Sequence, residues 1–290
     1  MRHPLILMAA GVSSRMKKAF EQTDSTISID PKLIEEANTL PKCMLSVGPN
    51  GTRFIDYILW NASKGGFEEV IILLNPNDTV TRKYVENRVE TMRLHLRVHF
   101  AIQFIPEGRE KPWGTGDAIY QALQQYPLDV SDVYTISNSD NLSSQLVFRA
   151  AYLAQENTIF SYDTTSLGIP LTDRVKYGLV VTDILTKNMT TIVEKPSLDE
   201  IMALEWDHTL SVNMNILTLS YKDTLYKLRS LTPHPVRDEK EITDVFRELA
   251  AEGRLKSEII FESLPDLTSK SDIPRVQKYL AETYPELQNL

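Results

Sequence analysis

The sequence predicts an α/β fold built on a parallel sheet with helices on both faces. Three observations lead there. Short, unbroken apolar runs recur through the first half of the chain, as expected for strands covered on both sides. Stretches with apolar residues at helical spacing separate them, giving a β-α-β-α-β alternation. Each run ends in glycine, proline, asparagine or aspartate, the residues that turn a chain.

The first run, residues 5–9, reads as a buried strand. The apolar stretch from Pro4 to Ala10 is shorter than most signal-peptide cores, lacks a clear basic leader and passes into Gly11-Val12-Ser13-Ser14-Arg15 without a small-residue cleavage site. Residues 17–40 are polar, fit the alternation least, and predict an inserted loop or lid with a short helix near 31–37. Phe54, Ile55, Ile58, Leu59 and Ala62 predict a helix over 54–64, closed by Gly65-Gly66. Glu69-Val70-Ile71-Ile72-Leu73-Leu74 is a fully buried type of strand that stops at Asn75-Pro76-Asn77-Asp78. Further strands are predicted over 97–105 and 132–137, with a helix over 116–125 between them. The second half is more mixed. Strands over 177–181 and 191–194 flank a turn at Lys187-Asn188, and another strand covers 212–219. Helices over 221–231 and 242–252, a late strand at 259–261 and a closing helix at 273–283 complete the chain. With no internal repeat or linker, residues 1–290 are expected to form one domain.

Composition narrows the function. The chain has 290 residues, 42% of them hydrophobic, enough for a sizeable core. Its 31 Lys and Arg against 39 Asp and Glu give a formal net charge of −8. Such a chain is a poor general binder of nucleic acid or anionic membrane, so phosphates would be held by a few local basic groups or a metal. The one cysteine, Cys43, excludes an intramolecular disulfide and a cysteine-rich zinc site. No stretch approaches the roughly 18 apolar residues of a membrane helix. A cytoplasmic protein without membrane or nucleic-acid partners is expected.

Five places can carry chemistry. Ala9-Ala10-Gly11-Val12-Ser13-Ser14-Arg15 follows the first strand; its small residues permit close backbone approach, its N–H groups can cradle phosphate, and Arg15 offers a forked donor. The alternative is a turn followed by a surface arginine. Pro41-Lys42 puts a lysine at the entry to an apolar stretch, either solvated or set to neutralise charge as phosphoryl bonds rearrange. In Trp113-Gly114-Thr115-Gly116, two glycines around a threonine open a helix, and Trp113 is a platform or a core residue. Asp140, in Asn138-Ser139-Asp140-Asn141 at a strand end, is placed either to hold Mg²⁺ or to cap the next helix. Glu194-Lys195-Pro196 joins an acid and a base at a strand end, for hydroxyl and phosphate recognition or as a surface ion pair. Asn213 is a polar residue in an apolar strand and needs a partner. No His, Ser or Cys stands in a nucleophile constellation, and the five histidines show no metal-type spacing.

In this order the motifs resemble the sugar-phosphate nucleotidyltransferases, the family that makes NDP-sugars. The resemblance covers most of residues 4–220, with a weaker match near Asp266. Val47-Gly48-Pro49-Asn50-Gly51 and the 109–116 stretch are similar to a bacterial subgroup. The resemblance implies a Rossmann-like three-layer α/β/α fold with a mixed, mostly parallel sheet, of the nucleotide-diphospho-sugar transferase type. It implies a first half (1–145) mainly for the nucleotide and a second (146–290) mainly for the sugar phosphate. It implies NTP and sugar-1-phosphate as substrates and Mg²⁺ as cofactor, in a chain compatible with a homo-oligomer. By position, Ala9, Ala10, Gly11, Gly114 and Thr115 would contact the nucleotide, Arg15 would clamp the leaving phosphates, and Lys42 would stabilise the α-phosphate. Asp140 would ligate Mg²⁺, while Tyr177, Gly178, Glu194 and Asn213 would hold the sugar and Lys195 its phosphate.

Two departures stand out. The stretch between Arg15 and Pro41 is longer than the family's usual spacing, and the nearest match to the second metal aspartate is Asp266, in Leu264-Pro265-Asp266-Leu267-Thr268. Rival readings are transfer to a non-sugar acceptor such as phosphocholine or a pterin cofactor, a glycosyltransferase, and a non-catalytic NDP-sugar sensor. The glycosyltransferase would need a second acid in the metal motif and has no use for Arg15.

Overall fold

The computed structural model describes residues 2–11, 13, 15–17 and 29–288. Its frame is a nine-stranded sheet among the described residues. Strands β1 (Leu5–Met8), β2 (Glu69–Leu74), β3 (Arg97–Ile102) and β4 (Val133–Asn138) form a wholly parallel block in the order β3-β2-β1-β4. The remaining strands are β5 (Thr158–Tyr162), β6 (Gly178–Asp183), β7 (Met189–Glu194), β8 (His208–Ser220) and β9 (Lys256–Ile260). The path continues from β4 through β8 to β5 and β9, and only β7 and β8 oppose the other strands.

Side chains alternate across the sheet, as pleating requires. Leu5, Leu7, Val70, Ile72 and Leu74 face one apolar core. Ile6, Ile71 and Leu73 face the other. The first core is covered by α1 (Pro31–Thr39), α2 (Phe54–Gly65), α5 (Gln145–Leu153) and α9 (Ile273–Thr283). The second is covered by α4 (Thr115–Gln125), α7 (Tyr221–Ser230) and α8 (Ile242–Ala251). Each fully buried Leu or Ile in these layers contributes roughly 1.5–3 kcal/mol. A third, smaller core under β6 and β8 receives Ile201 from α6 (Leu198–Leu204). α3 (Thr81–Thr91) flanks the parallel block, buries Val85 in the first core, and supplies Arg88, 3.1 Å from the buried Asp56 of α2.

Local rules explain most element ends. α2 stops at Gly66, whose φ of 109° is the left-handed cap that glycine adopts without strain. Within the long insert, Asp30 caps α1 by accepting from the Lys32 N–H, and Leu33 and Ala37 are buried. The lid expected over 17–40 falls partly outside the described residues, at 18–28. Among the described residues no helix is long and apolar enough to cross a membrane.

β8 is longer than its apolar run because it serves two partners. Its carboxyl half pairs with β4 and β5, and its amino half with β6. The handover falls at Asn213–Asn215, where the pairing with β5 shifts register and Asn215 has φ 54°. Continuing the β4 register places this joint just past the carboxyl end of the parallel block.

His3, packed on Tyr152 and Phe67 and bonded to Thr135, has its pKa pushed down to about 4 by burial. The free side chain titrates near 6.5. Below that value the unfolded chain takes up a proton that the native state refuses. Stability is therefore present above pH 6.5 and is lost as pH falls toward 4. We expect His3 to cost about 2–3 kcal/mol between pH 7 and pH 4.5. Urea midpoints at the two pH values should lie closer together in His3→Gln than in the wild type; an equal separation would remove His3 as the cause.

Candidate active site

Parallel α/β sheets offer ligands the crevice at the carboxyl ends of their strands. Here that edge opens into a cavity of about 380 Å³. Met8, Ala9, Ala10, Gly11, Ser13 and Arg15 line it after β1, Gln103 after β3, and Asn138, Ser139 and Asp140 after β4. Pro41 and Lys42 close one side, and Lys111, Gly114, Thr115 and Glu239 another.

The loop after β1 is held by backbone bonds while its tip stays open. The Ala9 N–H donates to Leu73 O at 3.0 Å, and Ala9 and Ala10 are buried. Gly11 has nothing within 4 Å of where a Cβ would stand, so its backbone is free to meet a ligand. Ser13 has φ 55°, and the Lys17 N–H closes a turn onto its carbonyl. Arg15 is exposed at the cavity rim.

Lys42 follows Pro41 in a short 3-10 turn anchored by buried Cys43 and Met44. Its Nζ lies 2.9 Å from Asp140 Oδ2, with only 11% of the lysine side chain exposed. The neighbouring Cys43 thiol is pushed up to about 12, first by burial and then by Asp78, so it is inert as a nucleophile at neutral pH.

Asp266 enters the same corner from the far end of the chain. An isolated antiparallel bridge joins Asn141 to Asp266, and the Leu267 N–H donates to Asp140 O at 2.9 Å. Burial, with the Asp140 and Asp272 charges, pushes the Asp266 carboxyl up to about 6, against the Thr268 hydroxyl and Lys42. Two crowded carboxylates offer hard oxygens that a divalent cation would relieve of mutual repulsion. Among the described residues no group of three or more His, Cys, Asp or Glu could hold a metal alone. An ion here would take its remaining ligands from phosphate and water, the habit of Mg²⁺.

Gly114 and Thr115 form the opposite wall with a segment from the second half. Gly114 has φ 100°, and a Cβ there would stand 3.0 Å from Lys240 O and 3.1 Å from Glu239 Cβ. The Gly116 N–H donates to Lys240 O at 2.9 Å, and Thr115 Oγ1 accepts from the Ile242 N–H at 3.1 Å. Trp113 lies under Lys240 Nζ, 3.8 Å from the ring centroid, and Arg109 pairs with Asp238. Trp113 is thus a partly buried strut with its face covered by a cation.

The remaining predicted residues gather on the β6–β7 hairpin and β8, outside the lining of this cavity. Gly178 lies opposite Glu194, whose carboxylate passes within 2.9 Å of where a Gly178 Cβ would be. The Lys195 N–H donates to Tyr177 O at 3.1 Å, and Lys195 has φ 50° with an exposed side chain. Asn213 Oδ1 accepts from the Asn215 N–H at 2.9 Å, and its amide donates to Asn215 Oδ1. The polar residue within the apolar strand therefore finds its partner two residues on, in the β8 joint.

Sequence reasoning missed Gln103 and Glu239. Gln103 Nε2 donates to Gly114 O at 3.2 Å; the sequence puts it inside the strand expected over 97–105, whereas β3 ends at Ile102 and leaves it at the ligand edge. Glu239 carried none, because a glutamate in a charged loop reads as solvated surface.

The fold matches crystal structures of UDP-glucose pyrophosphorylase. The one complexed with UDP-glucose gives a TM-score of 0.71 at 16% identity, covering 97% of this chain and 99% of that one. The apo-enzyme gives 0.69 at 17% identity, with the same coverage. A search of curated proteins finds no match. Residues 33–282 match the model of the nucleotidyl transferase family, which spans the metal-type corner, the Gly114 wall and the hairpin. The chain belongs to the nucleotidyl transferase family.

Proposed function

We propose that the protein joins an NTP and a sugar-1-phosphate into an NDP-sugar and pyrophosphate. The observation that carries this reading is the convergence of the open Gly11 loop, Lys42 and Asp140 in the cavity lining, with Asp266 behind Asp140. A sugar-1-phosphate oxygen attacks the α-phosphorus in line, and the bond to the β-phosphate breaks with its electron pair leaving on pyrophosphate. A phosphate monoester is already nucleophilic, so no general base is required, in keeping with the inert Cys43. Lys42 faces the negative charge that gathers at the α-phosphate, and Arg15 holds the departing phosphates. Mg²⁺ held by Asp140 and Asp266 would neutralise phosphate oxygens.

The sugar side of the reading rests on the hairpin. Glu194 is acceptor-only and suits sugar hydroxyls, while exposed Lys195 suits the sugar phosphate. Asn213 and Tyr177 complete this second subsite, and the β8 joint brings it to the edge where the phosphates lie. In this reading the chain is one domain whose first half serves mainly the nucleotide and whose second serves mainly the sugar phosphate. The UDP-glucose in the matched structure makes a uridine nucleotide and glucose-1-phosphate the first pair to try.

The test is pyrophosphate release with Mg²⁺ over a grid of UTP, dTTP, CTP, GTP and ATP against several sugar-1-phosphates and phosphocholine. Release requiring one NTP and one sugar-1-phosphate is expected, and it should vanish with EDTA. Release with phosphocholine alone would move the acceptor. Silence across the grid, with NDP-sugars still bound, would replace the enzyme by a sensor.

A further inference from the structure

The cavity holds one charge that phosphate chemistry does not need. Glu239 lines it, yet among the described residues its carboxylate has no hydrogen bond or ion pair. A free carboxylate beside a polyphosphate would only repel it, so its place along the cavity decides what it can do. Strands in a sheet lie about 4.8 Å apart, and Gln103 follows β3, two strands from β1 and three from β4. The corner formed by Gln103, Gly114 and Glu239 is therefore about 10 Å along the edge from the Gly11 loop and about 14 Å from Asp140. With phosphates at the Gly11 end, this corner faces the nucleoside.

The corner is also built to hold position. Glu239 stands between Asp238, tied to Arg109, and Lys240, whose carbonyl accepts from the Gly116 N–H and whose ammonium caps Trp113. The missing side chain at Gly114 leaves the room in which Glu239 sits. Gln103 commits one amide N–H to Gly114 O, which leaves its second N–H and its carbonyl for a ligand. We infer that Glu239 is a specificity-determining residue, whose carboxylate accepts a hydrogen bond from an N–H or O–H of the nucleoside and so sets which nucleotide the cavity prefers. An ionised carboxylate can only accept, and it rewards a donor edge while penalising a carbonyl placed against it.

This inference rests on the nucleotidyl-transfer reading, and equilibrium binding separates the two. Calorimetric affinities of UTP, CTP, GTP and ATP and their 2′-deoxy counterparts would be compared in the wild type, Glu239→Gln and Glu239→Ala, with thermal unfolding as the control for folding. Glu239→Ala is expected to weaken the favoured nucleotide about tenfold and to flatten the ranking. A flattened ranking among bases places the donor on the base. A loss confined to the ribonucleotides places it on a ribose hydroxyl. Unchanged ranking and affinity in both variants, or uniformly tighter binding of every nucleotide, would overturn the inference while leaving the enzyme reading intact. A wild type that binds no nucleotide would overturn both.

Discussion

Asp140→Ala should lower kcat for pyrophosphate release by about 10³-fold, the upper end of what one charge-stabilising group supplies. The fold should survive, because Asp140 is a quarter exposed and its loss relieves the like charge pressing on Asp266. Thermal unfolding should shift little, because relief at Asp266 is offset by the Lys42 ammonium that loses its partner, while Mg²⁺ should no longer enhance protection by NTP. Both readings come from one preparation, so a dead but folded variant is distinguishable from an unfolded one. Wild-type turnover in the folded variant would remove Asp140 from the reaction.

Lys42→Ala should cost about 10²-fold in kcat, with a second signature that no structural role would produce. Without substrate, the Lys42 ammonium neutralises Asp140 at 2.9 Å and so competes with any cation for the same oxygen. Removing it should lower the Mg²⁺ concentration needed for half-maximal activity even as turnover falls. Lys42→Arg should not restore the rate. The slot between Pro41 and buried Cys43 leaves the lysine side chain only 11% exposed, and a planar guanidinium is bulkier and delivers its charge differently. An unchanged Mg²⁺ requirement, or full activity in either variant, would sink this assignment.

How far the sequence could be read follows from what each element must do. β2 was legible because a strand covered on both faces must be apolar throughout, and Glu69-Val70-Ile71-Ile72-Leu73-Leu74 is bounded by a turn. α2 was legible to within a residue because glycine closes it. α3 was not foreseen: its residues are mostly polar, it buries little, and its hold on the sheet comes through Val85 and the Arg88–Asp56 pair. β8 was foreseen only over its apolar part, since the amino half that meets β6 is punctuated by polar His208, Thr209 and Ser211. Gly11 and Asp140 follow strand ends, where such sheets expose their ligand edge, and both line the cavity; Lys42 follows no strand and reaches the cavity from a 3-10 turn. Asp266 and Glu239 reach that edge through pairings distant in sequence, Asn141 to Asp266 and Gly116 to Lys240, which no local pattern encodes.

Those two late arrivals bear on how the protein is made. During synthesis the glycine loop, the lysine and Asp140 leave the ribosome early, and their parallel strands can pair at once. β4 must wait for β8 to cover its free edge, the Gly114 wall for residue 239, and the carboxylate pair for residue 266. On the proposed function, a nascent chain would thus carry its phosphate loop long before it could select a nucleoside or complete its carboxylate pair. Competence would then arrive only when the segment around Asp266 docks, so a product that stops before it would be catalytically silent rather than indiscriminate.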